Sequence, residues 1–308
     1  MTTERIRKDL ERAIGLPVRS VEPIPEGHSG FTYFVFADRR EYVLRLPPPG
    51  ARIAATADVM RQGRIMSSLH AADLPVPAVP QIVAEPVVDG RPFILMERTR
   101  GARIEPTART EDASEIARSA VSVMKRLHAI PVEKTGIGEE EPVSLQVEMM
   151  RWAMLMQRAP EELTTRAGEL GGLLVTHAPE ERAPALVHGD YHYGNMLFDG
   201  PDVVALLDWE IAEIGQPLLD LGALCVVAGR HPGDWPVVSD REMMSMYGVA
   251  GEEMRWYLAM TMYKYASIFG YNLMLHRKGR RPDAMYEGLT TTITGMIDDG
   301  ITLLGGAR

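Results

Sequence analysis

Two neighbouring stretches constrain this chain more than any other: Leu186 to Phe198, LVHGDYHYGNMLF, and Val203 to Glu210, VVALLDWE. The first is an apolar run, a polar loop and a second short apolar run; the second is an apolar run that ends in an acid. They read as strand, loop, strand, and then a further strand carrying Asp208 at its end. Asp190 and Asn195 lie five residues apart on one loop, and Asp208 follows thirteen residues after Asn195. Phosphoryl transfer needs a carboxylate that orients a hydroxyl and takes its proton. It also needs oxygen ligands that hold Mg²⁺ against nucleotide phosphates. Asp190 suits the first task, and Asn195 and Asp208 the second. An isolated His-Gly-Asp would be an ordinary turn; the whole series on strand–loop frames is far more specific.

His188, Gly189 and Asp190 through Asn195, then Leu207, Asp208, Trp209 and Glu210, and then the run from Gly215 to Gly222 resemble the aminoglycoside phosphotransferase / choline kinase-like family. The resemblance implies an α+β, protein kinase-like two-lobe fold. Its N-lobe would be an antiparallel sheet with one helix, its C-lobe mainly helical, with the nucleotide between them. On that basis residues 1–97 form the nucleotide-binding lobe, 98–101 the hinge and 102–308 the helical lobe with the catalytic loop and acceptor site. The resemblance is weakest over 102–180 and beyond 230.

The chain has 308 residues, of which 45% are hydrophobic, enough for a sizeable core. Its net charge of −9 argues against a nucleic-acid partner. The single cysteine, Cys225, sits in an apolar run and reads as a buried structural thiol with no disulfide partner in the chain. Residues 1–14 are charged, not signal-like, and no run approaches the ~18 apolar residues of a membrane span. A cytoplasmic protein without a membrane partner is the expectation.

Along the chain, residues 3–14 read as a helix with Ile6, Leu10 and Ile14 on one face. Gly27, His28, Ser29 and Gly30 form a turn ahead of an alternating strand, 31–36, and a return strand, 41–46. Such a turn can fold over phosphates with its backbone N–H groups, or be an ordinary hairpin. Kinase-like folds place a lysine on the return strand; here Arg45 stands instead, and its planar fork can also bind phosphate. Residues 56–70 read as the next helix. Gln62 stands where the resemblance leads one to expect a glutamate, and Gly63 weakens the helix by ~1 kcal/mol relative to alanine. Two strands, 81–84 and 91–96, flank the Asp89-Gly90 turn. Met96, Glu97 and Thr99 fall at the hinge, where the resemblance implies backbone readout of the nucleotide base with Met96 lining the pocket. Met96 also reads as ordinary core, and the two are compatible.

In the second half, 111–128, 145–158 and 161–177 read as helices, and Glu139 to Glu141 as a solvated loop. The methionines of the 145–158 helix read mainly as core, or as an adaptable binding surface. His188 reads as structural. His192 either contacts phosphate or shapes the loop, and Glu210 either faces the acceptor or forms a salt bridge. Asp220 starts a helix, and the resemblance implies that it braces the catalytic loop. Helices over 239–247, 251–277 and 282–304 close the chain, their aromatic residues packing helices or walling the acceptor pocket.

The function that follows is transfer of the γ-phosphoryl group of ATP or GTP to a hydroxyl of a small molecule. Asp190 would be the base, and Asn195 and Asp208 the Mg²⁺ ligands. Arg45, Gly27, His28, Ser29 and Gly30 would steady the phosphates. Aminoglycosides, macrolides and hydroxylated metabolites such as hydroxyacyl thioesters are the acceptor classes considered, with a slight tilt to a bulky, partly apolar one. The alternatives are a non-catalytic nucleotide-binding or scaffold protein, suggested by Arg45 and Gln62, and a metal-dependent hydrolase using the same acids.

Overall fold

The structure is a computed structural model that describes residues 3–24, 31–38, 40–52, 57–104, 113–230 and 238–305. The expected turn of Gly27, His28, Ser29 and Gly30 lies outside the described residues, as does the loop at 232–236. The chain divides into two compact units. The first holds residues 1–105, 129–140 and 193–212; the second holds 106–128, 141–192 and 213–308.

The first unit begins with helix α1 (Thr3–Ile14), whose Ile6 and Leu10 are buried. Strands β1 (Val18–Pro23), β2 (Phe31–Ala37) and β3 (Arg40–Leu46) follow, then helix α2 (Val59–Ala71) and strands β4 (Gln81–Val88) and β5 (Arg91–Glu97). The five strands form one sheet in the order β1-β2-β3-β5-β4, with every pairing antiparallel. Alternation buries Tyr33, Val35, Tyr42, Leu44 and Leu46 in one cluster with Ile6 and Leu10. Strand β1 has no counterpart in the sequence reading. A bulge between Val18 and Ser20 breaks the period of two, so Val18 and Val21 are both buried although three apart.

Helix α2 starts at Val59, three residues after the expected position, capped by Asp58, whose side chain accepts from the Arg61 N–H at 2.9 Å. Gly63 has a packing reason. A Cβ there would stand 2.9 Å from Ile94 and 3.0 Å from Ile82, so a larger residue would lift the helix off β4 and β5.

In chain order the second unit contributes α3 (Ala113–His128), α4 (Leu145–Met156), α5 (Glu161–Thr164), α6 (Ala167–Thr176) and strand β6 (Ala185–Val187). Strands β7 (Met196–Asp199) and β8 (Asp202–Leu206) return to the first unit as a hairpin. Strand β9 (Glu213–Gly215) pairs antiparallel with β6 in the second unit. It is followed by α7 (Leu218–Ala228), α8 (Asp240–Tyr247), α9 (Gly251–Arg277) and α10 (Thr290–Gly305).

Two local readings change. The helix expected over 161–177 is broken at residues 165–166 into α5 and α6. Only part of the methionine-rich α4 is core: Leu145, Glu148, Trp152 and Met156 form its buried face, while Met150 and Met154 are 56% and 59% exposed. Residues 145, 148, 152 and 156 share one helical face, and 150 and 154 fall on the opposite side. Among the described residues no helix is long and apolar enough to cross a membrane.

Candidate active site

The boundary between the two units falls inside the signature loop, after His192. Asp190 therefore belongs to the second unit, and Asn195 and Asp208 to the first.

In the second unit, Asp220 on the first turn of α7 organises the loop. It is fully buried and accepts the backbone N–H groups of His188 at 2.8 Å and Gly189 at 2.9 Å. His128 Nε2 lies 3.1 Å from its Oδ2, and His128 Nδ1 lies 2.9 Å from the Tyr247 hydroxyl. Burial alone would raise the Asp220 carboxyl. The His128 contact and the backbone N–H of His188 reverse that and hold it below the usual carboxylate range. Gly189 has φ +82°, a conformation side-chain-bearing residues rarely adopt. His188 is buried, and its Nδ1 accepts the Asp190 N–H at 3.2 Å. Tyr191, fully buried, donates to the Ala120 carbonyl of α3 at 2.7 Å.

Asp190 emerges from this frame. The Tyr265 hydroxyl of α9 donates to its Oδ1 at 2.7 Å, and His192 Nε2 lies 3.4 Å from its Oδ2. Burial would raise this carboxyl too, but His192, the Tyr265 hydroxyl and the Lys264 charge hold it well below the usual range. A carboxylate kept ionised and fixed in direction can orient a hydroxyl and receive its proton as the bond to phosphorus forms.

Around it stand charged groups that sequence reasoning passed over. Lys264, buried in the middle of α9, donates to the Gly189 carbonyl, and its Nζ lies 5.1 Å from the centre of the Trp152 ring. Trp152 Nε1 donates to Glu148 Oε1 at 2.5 Å, and Arg151 lies 3.0 Å from Glu148 and 2.8 Å from Glu213. Burial, reinforced by the Glu148 charge, pushes the Glu213 carboxyl up to about 6, against the pull of Arg151 and Lys264. A signal existed for Lys264: it is the one charged residue in the run from Trp256 to His276. None existed for Glu213, whose role depends on packing.

In the first unit, the hairpin of β7 and β8 carries Asn195 and Asp208 at one end. The pairing Met196↔Leu206 is extended by the Leu207 N–H donating to the Asn195 carbonyl at 2.8 Å. Asn195 thus lies opposite Leu207, one residue from Asp208. Asp208 has φ +66°, an uncommon conformation for a residue other than glycine, and one that tends to persist where function requires it. Trp209, 1% exposed, anchors the turn by donating to the Leu206 carbonyl at 3.1 Å.

Arg45 is not a surface strand arginine. Its guanidinium donates to Asp208 Oδ1 at 3.1 Å and to Glu210 Oε2 at 2.9 Å, so Glu210 forms a salt bridge. Met96 is buried opposite Val43, and Thr99 is half-buried. The Glu97 N–H is taken by the Ala78 carbonyl at 2.8 Å. The 98–101 stretch ends on Gly101, where a Cβ would meet Val204 at 2.8 Å, and Ala102 exchanges two backbone bonds with Phe198. Glu140, expected in a solvated loop, instead accepts from Arg61 of α2 through two bonds of 2.6 Å.

The donor set fits a hard cation. Mg²⁺ is ordinarily held by one or two protein oxygens together with phosphate oxygens and water, and Asn195 and Asp208 carry side-chain oxygens at one end of the hairpin. Among the described residues no cluster of three or more His, Cys, Asp or Glu forms an all-protein metal site.

A five-stranded antiparallel sheet packed by α1 and α2, a mainly helical second unit and this loop define an α+β, protein kinase-like fold. The profile of the phosphotransferase enzyme family matches residues 20–257, and the chain belongs to that family. The family is one of phosphotransferases. Among solved structures, a proposed aminoglycoside phosphotransferase from Ralstonia eutropha has a TM-score of 0.82 at 23% identity, with 98% of each chain covered. A thermostable aminoglycoside phosphotransferase in ternary complex with AMP-PNP and hygromycin B has a TM-score of 0.71 at 15% identity, covering 98% of this chain and 99% of the other.

Among curated proteins, mouse acyl-CoA dehydrogenase family member 10 is 28% identical over 228 residues, 69% of this chain and 20% of the relative. Human acyl-CoA dehydrogenase family member 11 is 24% identical over 271 residues, 79% of this chain and 34% of the relative. Homoserine kinase from Pseudomonas aeruginosa is 29% identical over 213 residues, 66% of this chain and 63% of the relative. The chain thus spans only a fifth to about a third of the acyl-CoA dehydrogenase family members it matches.

Proposed function

We propose that this chain transfers the γ-phosphoryl group of ATP or GTP to a hydroxyl of a small molecule, with Asp190 as the base. The observation that carries the reading is the Asp190 carboxylate itself: ionised, directed by Tyr265 and set on a loop braced by Asp220. Asn195 and Asp208 are the proposed Mg²⁺ ligands, and the ion, when bound, supplies neutralisation of phosphate charge. Arg45 would release one of its acids and hold phosphate oxygens with the same planar fork. Gly27, His28, Ser29 and Gly30 remain the proposed phosphate turn, and Met96, Glu97 and Thr99 the proposed base-reading segment. A nucleotide donor is supported by the GDP and AMP-PNP complexes of structural neighbours. Positioning and electrostatics would supply most of the acceleration.

For the acceptor we propose a hydroxylated, partly apolar metabolite, in first place a hydroxyacyl thioester. The names of the acyl-CoA dehydrogenase family relatives support it. The test is a screen with Mg–ATP and Mg–GTP against hydroxyacyl thioesters, homoserine and kanamycin, read by mass spectrometry. A phosphorylated acceptor is expected, and Asp190→Ala should abolish it while sparing nucleotide binding. Free phosphate alone would indicate a hydrolase, and neither product a scaffold.

A further inference from the structure

Helix α9 meets the catalytic loop through two consecutive side chains, and neither is explained by core packing alone. Tyr265 places its hydroxyl 2.7 Å from Asp190 Oδ1. Lys264 is 7% exposed and donates to the carbonyl of Gly189, the residue just before Asp190. Burying an ammonium in a helical run that carries no other charge from Trp256 to Leu275 is costly unless that charge is used. Here the charge is directed at a loop carbonyl and at the face of Trp152. We propose that Tyr265 and Lys264 are positioning residues for the base: Tyr265 fixes the direction of the Asp190 carboxylate and Lys264 fixes the backbone that carries it. The inference rests on the reading of Asp190 as the base.

The height of α9 is itself fixed. Gly222 of α7 lies so close to it that a Cβ would meet Thr261 Oγ1 at 2.5 Å and the Tyr257 carbonyl at 3.0 Å. Farther along, a Cβ on Gly270 would meet that of Ala159 at 2.6 Å. Tyr257, Thr261 and Lys264 are spaced four and three apart, so they share the face on which these contacts set the register. The same helix is therefore locked against α7 and presents its donors to the loop that α7 braces through Asp220.

The charges facing Asp190 and Tyr265 come from several elements. His192 lies on the loop, Asp220 on α7, and Lys264 on α9. Burial, and then the Asp190 charge, push the Tyr265 phenol well above its ordinary value, so it remains a neutral donor at any working pH. Removing the Tyr265 hydroxyl takes away one of the groups that hold the Asp190 carboxyl down.

The test compares Tyr265→Phe, Lys264→Met and Lys264→Arg with the wild type, and does not depend on knowing the acceptor. Asp190 is labelled with a carbodiimide and glycine ethyl ester across pH, and the modified peptide is read by mass spectrometry. Protonated carboxyls react, so the onset of labelling should move up by about one pH unit in Tyr265→Phe and in Lys264→Met. Lys264→Arg should keep the wild-type onset. With hydroxyacyl thioester, homoserine or kanamycin, whichever is turned over, kcat should fall about tenfold or more in Tyr265→Phe while the KM for nucleotide stays unchanged. A Tyr265→Phe protein that melts like the wild type, with the same labelling onset and the same kcat, overturns the proposal. If Tyr265→Phe does not fold, an unaltered onset in Lys264→Met does so. Retained activity in Asp190→Asn is a different result: it removes Asp190 as base and leaves the labelling comparison standing.

Discussion

The surroundings of Asp190 and Asp208 differ in kind. Asp190 is directed by side chains: Tyr265 of α9 at 2.7 Å, His192 of its own loop at 3.4 Å, and Asp220 of α7 gripping the two residues before it. Asp208 is directed by its own backbone, at φ +66° on the end of a hairpin, and its described ion-pair partner is Arg45. A base must keep one orientation through the reaction, so fixed neutral and charged donors suit it. A metal ligand must accept a new partner each cycle. A geometry held by the backbone, with a cation that can exchange one acid for another anion, suits that task.

The largest effect expected on the loop is from Asp220→Ala. It leaves two buried N–H groups and His128 without their carboxylate, and should cost about 3–5 kcal/mol of stability, read by chemical denaturation. A loss below ~1 kcal/mol would mean that the loop is braced otherwise. Next in size is Glu213→Gln. The Glu213 carboxyl is raised from 4.5 to about 6 in the folded protein. Its favourable contribution is thus complete below pH 4.5 and is lost as pH rises through about 6, a change of about 2 kcal/mol. The variant should flatten that part of the stability–pH curve, and an unchanged slope would assign the titration to another group. The smallest effect concerns the exchangeable side. Arg45→Met should weaken nucleotide binding about tenfold, ~1.4 kcal/mol, by calorimetry, without altering labelling of Asp190. Unchanged affinity would leave Arg45 a purely structural partner of Asp208 and Glu210.

Much of this was legible in the sequence. The signature loop, the hairpin strands and the long closing helices follow from apolar period and spacing, and the resemblance points to Asp220 as the brace of the loop. Gln216, within the run from Gly215 to Gly222, has a structural reason. Its amide accepts the Arg182 N–H at 2.8 Å and donates to the Arg182 carbonyl at 3.0 Å, which a carboxylate could not do. What stayed hidden was hidden for physical reasons. The bulge in β1 erased its alternation. Strand β9, three residues long, is too short to show a pattern. The packing of 129–140 and 193–212 with the first unit is a tertiary sorting that no local window encodes. Arg45 reads as a phosphate ligand, and its pairing with Glu210 across 165 positions is invisible to spacing. Tyr265 was read with the aromatic packing of its helix, because a helical tyrosine carries the same pattern whether its hydroxyl meets solvent or a carboxylate.

The most direct test of the difference between the two acids is to measure Mg²⁺–nucleotide binding by calorimetry and turnover by product mass spectrometry on Asp190→Asn and Asp208→Asn side by side. The account predicts that Asp190→Asn binds Mg²⁺–nucleotide as the wild type does and loses turnover by about a thousandfold. It predicts that Asp208→Asn loses the Mg²⁺-dependent part of binding itself. Turnover surviving in Asp190→Asn, or Mg²⁺-dependent binding surviving in Asp208→Asn, would contradict it.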